Sequence, residues 1–342
     1  MSGISAKPPR PRLHDIDQAK GFAILLVVIG HIVSRGAAQP AGNEWFMSLS
    51  DAIYMFHMPL FMYLSGIVMF YTGAAETPPG KYWDFLKKRA FRFLLPFVLF
   101  GLTIILGKLA FSHFMTVDRQ PPGLTDGLKA MFINTDSGPA TSIWYVYVMF
   151  VYCAIVPPLM WLMRGKAWAL LALAAALHYA PLPEYFYLWR VGGFFVFFIL
   201  GGVTVRYMES YRRFLDRHWL VLAAVFILSL ALLAVMSPFP YWELCRDALD
   251  LLALPAIHAV MRRPVFSRSS ILAFLAGYTF VIYLFNTIFI GLTKGVLMRF
   301  MNWDGYHFLI FLPILIAAGI LGPVALKVLV LRRIKVLDAI TT

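Results

Sequence analysis

Apolar runs close to 20 residues long recur from one end of this chain to the other. That feature constrains the fold before any motif is read. A hydrocarbon layer about 30 Å thick takes about 20 helical residues to cross. Inside it every backbone N–H and C=O needs a partner, which a helix supplies within one segment. Composition agrees: 61% of residues are hydrophobic and 14% charged, against about 45–50% and about 25% in soluble domains. The sequence therefore predicts an all-α polytopic membrane protein, a bundle of about ten transmembrane helices forming one integral membrane domain over 1–342. The spans read as 19–36, 49–72, 92–111, 143–162, 167–182, 190–206, 218–236, 243–261, 271–292 and 306–331. Prolines and glycines punctuate most joints. No long soluble domain, low-complexity tract or clear internal repeat is visible.

The net charge is +13. In a soluble chain that would suggest nucleic acid. Here the basic residues sit between apolar runs, which is a topology signal and gives no reason to expect a nucleic-acid partner. With the N-terminus inside, 22 of the 30 Lys and Arg residues fall on the inner side. The other eight are Arg35, Lys108, Arg119, Lys129, Arg190, Arg246, Lys294 and Arg299. This bias predicts both termini in the cytoplasm, with short tails at about 1–18 and 332–342, in a multi-pass cell (inner or plasma) membrane protein. The longest loop, about 112–142, falls outside. The N-terminal stretch has the basic start, apolar run and small residues of a signal peptide. Asp15 and Asp17 are atypical of one, so the stretch is expected to stay as the first span. Cys153 and Cys245 form no disulfide framework or metal-ligand spacing, and packing is their expected role.

The polar residues inside the spans are the candidates for chemistry, because ionisable groups there are costly and functional by default. Lys20 and His31 in the first span are 11 residues apart. That spacing puts them on one helical stripe about 16 Å apart along the axis. Lys20 falls at the inner edge, where a snorkelling charge is the plainer reading. His31 falls in the outer half. His57, in the second span, also falls in the outer half, one turn after Tyr54. A neutral imidazole in an apolar bundle is a competent general base. Two histidines without carboxylate or thiolate partners make no convincing metal site, and none is expected. Arg89 and Arg92 are spaced i,i+3 at the inner mouth of the third span, after Lys87 and Lys88. An arginine pair on one face suits forked contacts with phosphates. A positive-inside anchor also explains the charge. In the eighth span Glu243, Arg246, Asp247 and Asp250 follow helical spacing and make one polar stripe at the outer end, a candidate for lining an acceptor path. Tyr283 and Asn286 share a face of the ninth span, where Asn286 suits an interhelical hydrogen bond. Trp144 opens the fourth span from the outside, where an aromatic-belt role is the plainer one.

Taken together, this pattern resembles the acyltransferase 3 family of integral membrane acyltransferases, in the style of the branch that O-acetylates sugars and surface glycans. The matching segments are IDQAKGFAILLVVIGH (16–31), FHMPLFMYLSG (56–66), KKRAFRFLLPF (87–97), IWYVYVMF (143–150), FFVFFILGG (194–202) and GYTFVIYLFN (277–286). The basic residue followed eleven positions later by histidine, and the R-x-x-R pair, are matched by Lys20 with His31 and by Arg89 with Arg92. The resemblance implies a cytoplasmic acyl-CoA donor, usually acetyl-CoA, as co-substrate. It implies a carbohydrate hydroxyl or lipid-linked glycan as acceptor. His31 would be the essential base, with His57 beside it in the family's FHMP segment. Lys20, Arg89 and Arg92 would serve the donor. Trp144, the stripe Glu243, Arg246, Asp247 and Asp250, and Asn286 are the candidates for holding the acceptor. Where many relatives carry histidine in the ninth span, this chain has Asn286, which cannot take a proton. No fused extracytoplasmic domain of the kind that completes transfer in some relatives is seen, so the chain would act alone or with separate glycan-assembly proteins. A transporter or flippase for a glycan or organic anion is the main alternative, and a non-catalytic scaffold the second. A transporter would more often show inverted repeats or paired broken helices.

Overall fold

The computed structural model describes residues 11–33, 42–114, 117, 119–236 and 240–341. Among them every regular element is helical. In chain order these are α1 (His14–Gly30), α2 (Glu44–Tyr71), α3 (Tyr82–Arg89), α4 (Leu95–Phe111), α5 (Leu124–Phe132), α6 (Trp144–Leu162), α7 (Ala167–His178) and α8 (Leu188–Arg206). They continue with α9 (Met208–Val235), α10 (Trp242–Met261), the single turn α11 (Pro264–Ser267), α12 (Ser270–Gly277), α13 (Thr279–Leu297), α14 (Gly305–Leu329) and α15 (Lys335–Ile340). Among the described residues, seven continuous helical segments are long and apolar enough to cross a membrane. The protein is a polytopic all-α membrane protein. α1, at 17 residues, and α7, at 12, are shorter, and α10 carries the polar stripe.

Several boundaries differ from those the hydropathy predicts. The first helix runs from 14 to 30 rather than 19 to 36, so His31 caps its end instead of sitting within it. The residues assigned to an N-terminal tail begin the helix. Asp15 and Gln18 are buried there. The basic segments before the third and seventh spans are also helical, because Lys and Arg are good helix formers and nothing stops the helix at the hydrocarbon edge. The long loop at about 112–142 contains α5. The C-terminal tail folds back as α15, where Lys327 bonds Asp338 Oδ1 at 2.7 Å and Thr341 Oγ1 at 2.9 Å. Lys7, Arg10 and Arg35, counted in the topology argument, lie outside the described residues.

α1 is the central rod, packed against α2, α10, α12 and α13. Between helices in lipid no hydrophobic driving force acts, so close backbone approach takes its place. Two glycines make this approach. A Cβ at Gly66 of α2 would collide with the Phe198 carbonyl of α8, and one at Gly21 of α1 with the Leu272 carbonyl of α12. The α1 start is tied by charge. Asp15 is 8% exposed and accepts from Arg212 of α9 (2.9 Å), Arg262 (2.8 Å) and His258 of α10 (3.3 Å). Arg262 and Arg263 also hold Asp216. A buried carboxylate is tolerated only when paired this fully. α9, by contrast, turns Leu220, Val221, Ile227, Leu228 and Leu232 outward, as a helix facing acyl chains should.

Candidate functional site

Two chambers open between the helices. The first, about 480 Å³, holds Lys20, Arg89 and Arg92. The second, about 1040 Å³, holds His31, His57 and Trp144. Tyr283 is common to both linings.

The Lys20 chamber collects its residues from α1, α2, α6, the α12–α13 joint and the C-terminal segment. The spacing of Arg89 and Arg92 predicts one face of a regular helix. The structure instead widens the helix to a single π turn over Ala90–Leu94. Pro96 has no N–H for the Arg92 carbonyl and its ring presses on it, and the widened turn before it relieves the conflict. Both arginines still line the chamber. Arg89 lies against the Phe85 ring at 4.9 Å, and its buried Nε has no hydrogen-bond acceptor among the described residues. The ninth span, predicted as one helix, breaks at Tyr278, after Gly277. Residues 276–281 line the chamber, so α13 starts on it, where a helix N-terminus favours anions. Arg332 also lines the wall, and Cys153 faces the chamber from α6.

In the second chamber, His31 Nδ1 is 2.7 Å from Asn286 Oδ1. The two residues are 255 positions apart. The Asn286 amide nitrogen donates to the carbonyls of Ile282 (2.8 Å) and Tyr283 (2.9 Å). That fixes which end of the amide faces the imidazole. Oxygen only accepts, so His31 carries a proton on Nδ1. His57, 3% exposed, likewise donates Nδ1–H to the Ile53 carbonyl at 2.8 Å, with the Tyr54 ring edge-on at 4.9 Å. Both histidines donate Nδ1–H to a fixed acceptor, so Nε2 is the nitrogen of each ring that can exchange a proton.

The partition between the chambers is a tyrosine pair. The Tyr283 hydroxyl donates to the Ser142 carbonyl at 2.7 Å and accepts from the Tyr145 amide at 3.3 Å. The Tyr145 and Tyr283 rings are 5.3 Å apart. Ser65 gives its proton to the Phe61 carbonyl, so Tyr145 donates to Ser65 at 2.6 Å.

Trp144 stacks on Phe194 at 5.0 Å and carries Arg190 over its face at 4.6 Å. Arg190 follows a strained corner: Phe186 and Tyr187 both have positive φ, 51° and 57°. Buried Tyr187 anchors that corner against Phe97 and Tyr147, which sets where α8 begins. By sequence Arg190 is only one of the eight charges on the sparse side of the topology count. Its neighbour Trp189 was the available signal.

The polar stripe of α10 is elsewhere. Glu243, Arg246, Asp247 and Asp250 line neither chamber. Glu243 and Arg246 pair with each other at 2.7 Å on the exposed surface. Asp247 holds His178 at 3.4 Å and the Tyr179 hydroxyl at 3.2 Å, joining α10 to α7. Asp250 is buried. Asn286 is also fully buried and lines neither chamber, and its contact is with His31.

A family model described as an acyltransferase domain, that of acyltransferase 3, matches residues 13–328. The chain belongs to the acyltransferase 3 family. It is 28% identical over 207 residues to nodulation protein NolL of Sinorhizobium fredii (strain NBRC 101917 / NGR234), covering 59% of this chain and 51% of the relative. It is 30% identical over 166 residues to nodulation protein NolL of Mesorhizobium japonicum (strain LMG 29417 / CECT 9101 / MAFF 303099), covering 48% and 41%. The matches therefore span about half or less of those relatives' length. No solved structure matches the chain.

Proposed function

We propose that this acyltransferase moves an acetyl group from cytoplasmic acetyl-CoA to a sugar hydroxyl of an envelope or exported glycan, in the cell's inner or plasma membrane. The observation that carries the reading is the paired chambers: a basic one at the Lys20 end, a histidine-bearing one at the His31 end, and Tyr283 common to both. In this scheme Lys20, Arg89 and Arg92 receive the CoA phosphates, and the thioester arm extends past Tyr283. The acceptor enters the His31 chamber from the outside. His31 Nε2 takes the proton of the acceptor hydroxyl, and the oxygen displaces the CoA thiolate at the carbonyl. The imidazolium then returns the proton to sulfur. The Nδ1–H bond to Asn286 supports this role, because it keeps Nδ1 protonated and leaves Nε2 as the nitrogen that takes and returns the proton. His57 is the second group that can take a proton in the chamber. Trp144, with Phe194 and Arg190 against its ring, forms part of the wall that the acceptor meets.

The test compares O-acyl esters on surface glycans of cells lacking the protein with cells given wild type or His31→Ala at equal membrane levels. Esters restored by wild type alone are expected. Restoration by both would remove His31 from the mechanism, and restoration by neither would send the search to another acceptor class.

A further inference from the structure

The basic residues of the sparse side are not scattered. Of the eight Lys and Arg that the topology count places outside, five line the His31 chamber: Lys108, Arg119, Arg190, Lys294 and Arg299. They come from α4, the loop after it, α8, and the end of α13. Among the described lining residues there is no Asp or Glu. Asp136, outside the lining, pairs with Arg190 at 3.1 Å. Arg190 Nε is buried with no hydrogen-bond acceptor among the described residues.

This convergence runs against two costs. Insertion selects against Lys and Arg on the outer side of short loops. Like charges gathered round one cavity with low-dielectric walls repel one another. A cavity of this kind focuses positive potential and concentrates anions. Three tryptophans stand among the cations: Trp144, Trp189 and Trp303. Arg190 lies over the first two at 4.6 and 4.8 Å, and the Lys294 ammonium lies 3.9 Å from the third ring. Aromatic faces beside fixed cations suit a ligand that offers apolar ring faces and negative charge together.

We infer that the acceptor is anionic: the His31 chamber takes a glycan with a carboxylate or phosphate near the hydroxyl that is acylated. This rests on the acyltransferase reading above and names its substrate class. The charge has two possible sources, an acidic sugar or the phosphate of a lipid carrier, and the chamber chemistry is shared by both.

The test uses the purified full-length protein in nanodiscs and three radiolabelled probes. They are an oligoglucuronide, the matching neutral oligoglucoside, and that neutral glycan on a polyprenyl pyrophosphate. Equilibrium binding and acetyl transfer from acetyl-CoA are read separately. At least one anionic probe should bind about tenfold or more tighter than the neutral one, with the preference shrinking as salt rises. Preference for the first anionic probe names the sugar carboxylate, and for the other the carrier phosphate. The Lys294→Gln/Arg299→Gln double variant should lose most of the anionic-to-neutral ratio. Lys129→Gln, an outer cation exposed away from the chamber, should keep it. Equal binding of all three probes overturns the inference, as does a ratio that survives the double variant. If the neutral probe is acetylated as well as the others, the acyltransferase reading stands and the anionic one falls. If anions bind preferentially and no probe is acetylated, the chamber's charge preference stands and the transfer chemistry falls.

Discussion

Asn286 offers the sharpest perturbation, because its contact with His31 defines what the histidine can do. Asn286→Ala removes the oxygen 2.7 Å from Nδ1 and leaves the imidazole in place. In the proposed mechanism the lost bond joins two neutral groups before proton uptake, worth about 1 kcal/mol net, and a charged donor at that moment, worth about 1.5–3 kcal/mol. The difference, about 0.5–2 kcal/mol, falls on the transition state and lowers kcat about 2- to 30-fold. An imidazole without its acceptor also populates the Nε2–H tautomer, which has no lone pair where it is needed. The combined loss is about 10- to 100-fold in kcat, with little change in donor KM. Asn286→Asp supplies the diagnostic. A carboxylate at the same distance favours the imidazolium, so the base form of His31 is reached only at higher pH. The acid limb of the kcat profile should therefore move upward in pH, with activity reduced at neutrality and recovered in alkali. The assay is initial-rate transfer of labelled acetyl from acetyl-CoA in membranes with matched protein levels, run from acid to alkaline pH. An Asn286→Ala enzyme with wild-type kcat, or an Asn286→Asp enzyme with an unmoved profile, refutes the orientation argument.

Arg89→Ala and Arg92→Ala should each raise the KM for acetyl-CoA by about tenfold, since a charge-assisted contact is worth about 1.5–3 kcal/mol, and the double variant should lose saturable donor binding; unchanged donor affinity would detach the π turn from the donor. With Cys245→Ser, Cys153 is the sole cysteine and lines the Lys20 chamber, so maleimide labelling should be slowed by acetyl-CoA and not by acceptor glycan. Gly66→Val places a side chain against the Phe198 carbonyl, and the cost of about 1–3 kcal/mol or more for overpacking should appear as a lowered Tm in detergent; an unchanged Tm would mean α2 and α8 part easily. Asp15→Ala leaves Arg212, Arg262 and His258 without their shared carboxylate, a loss of about 3–5 kcal/mol when a buried pair is broken, read as reduced membrane accumulation.

The sequence alone determined the class, the helical rods and the family, and the physical reasons are local. Lipid forces each crossing segment to be apolar and helical, so periodicity and length suffice to find it. Motif order placed His31, Lys20, Arg89 and Arg92 among the residues that line the chambers. Gly277 and Pro96 stood in plain view as breakers, yet the kink at Tyr278 and the π turn depend on how a helix relieves a missing bond, which the pattern does not specify. Spacing named the polar stripe of α10, but a stripe states only that a face is polar; packing set Asp247 against α7, left Glu243 and Arg246 exposed and buried Asp250. The tertiary structure alone decided the partners. It set Asn286 against His31 across 255 residues, and it gathered five cations from separate elements round one chamber. Helix periodicity encodes which residues share a face, and the charge bias encodes the side of the membrane; which faces meet is fixed only when the helices pack.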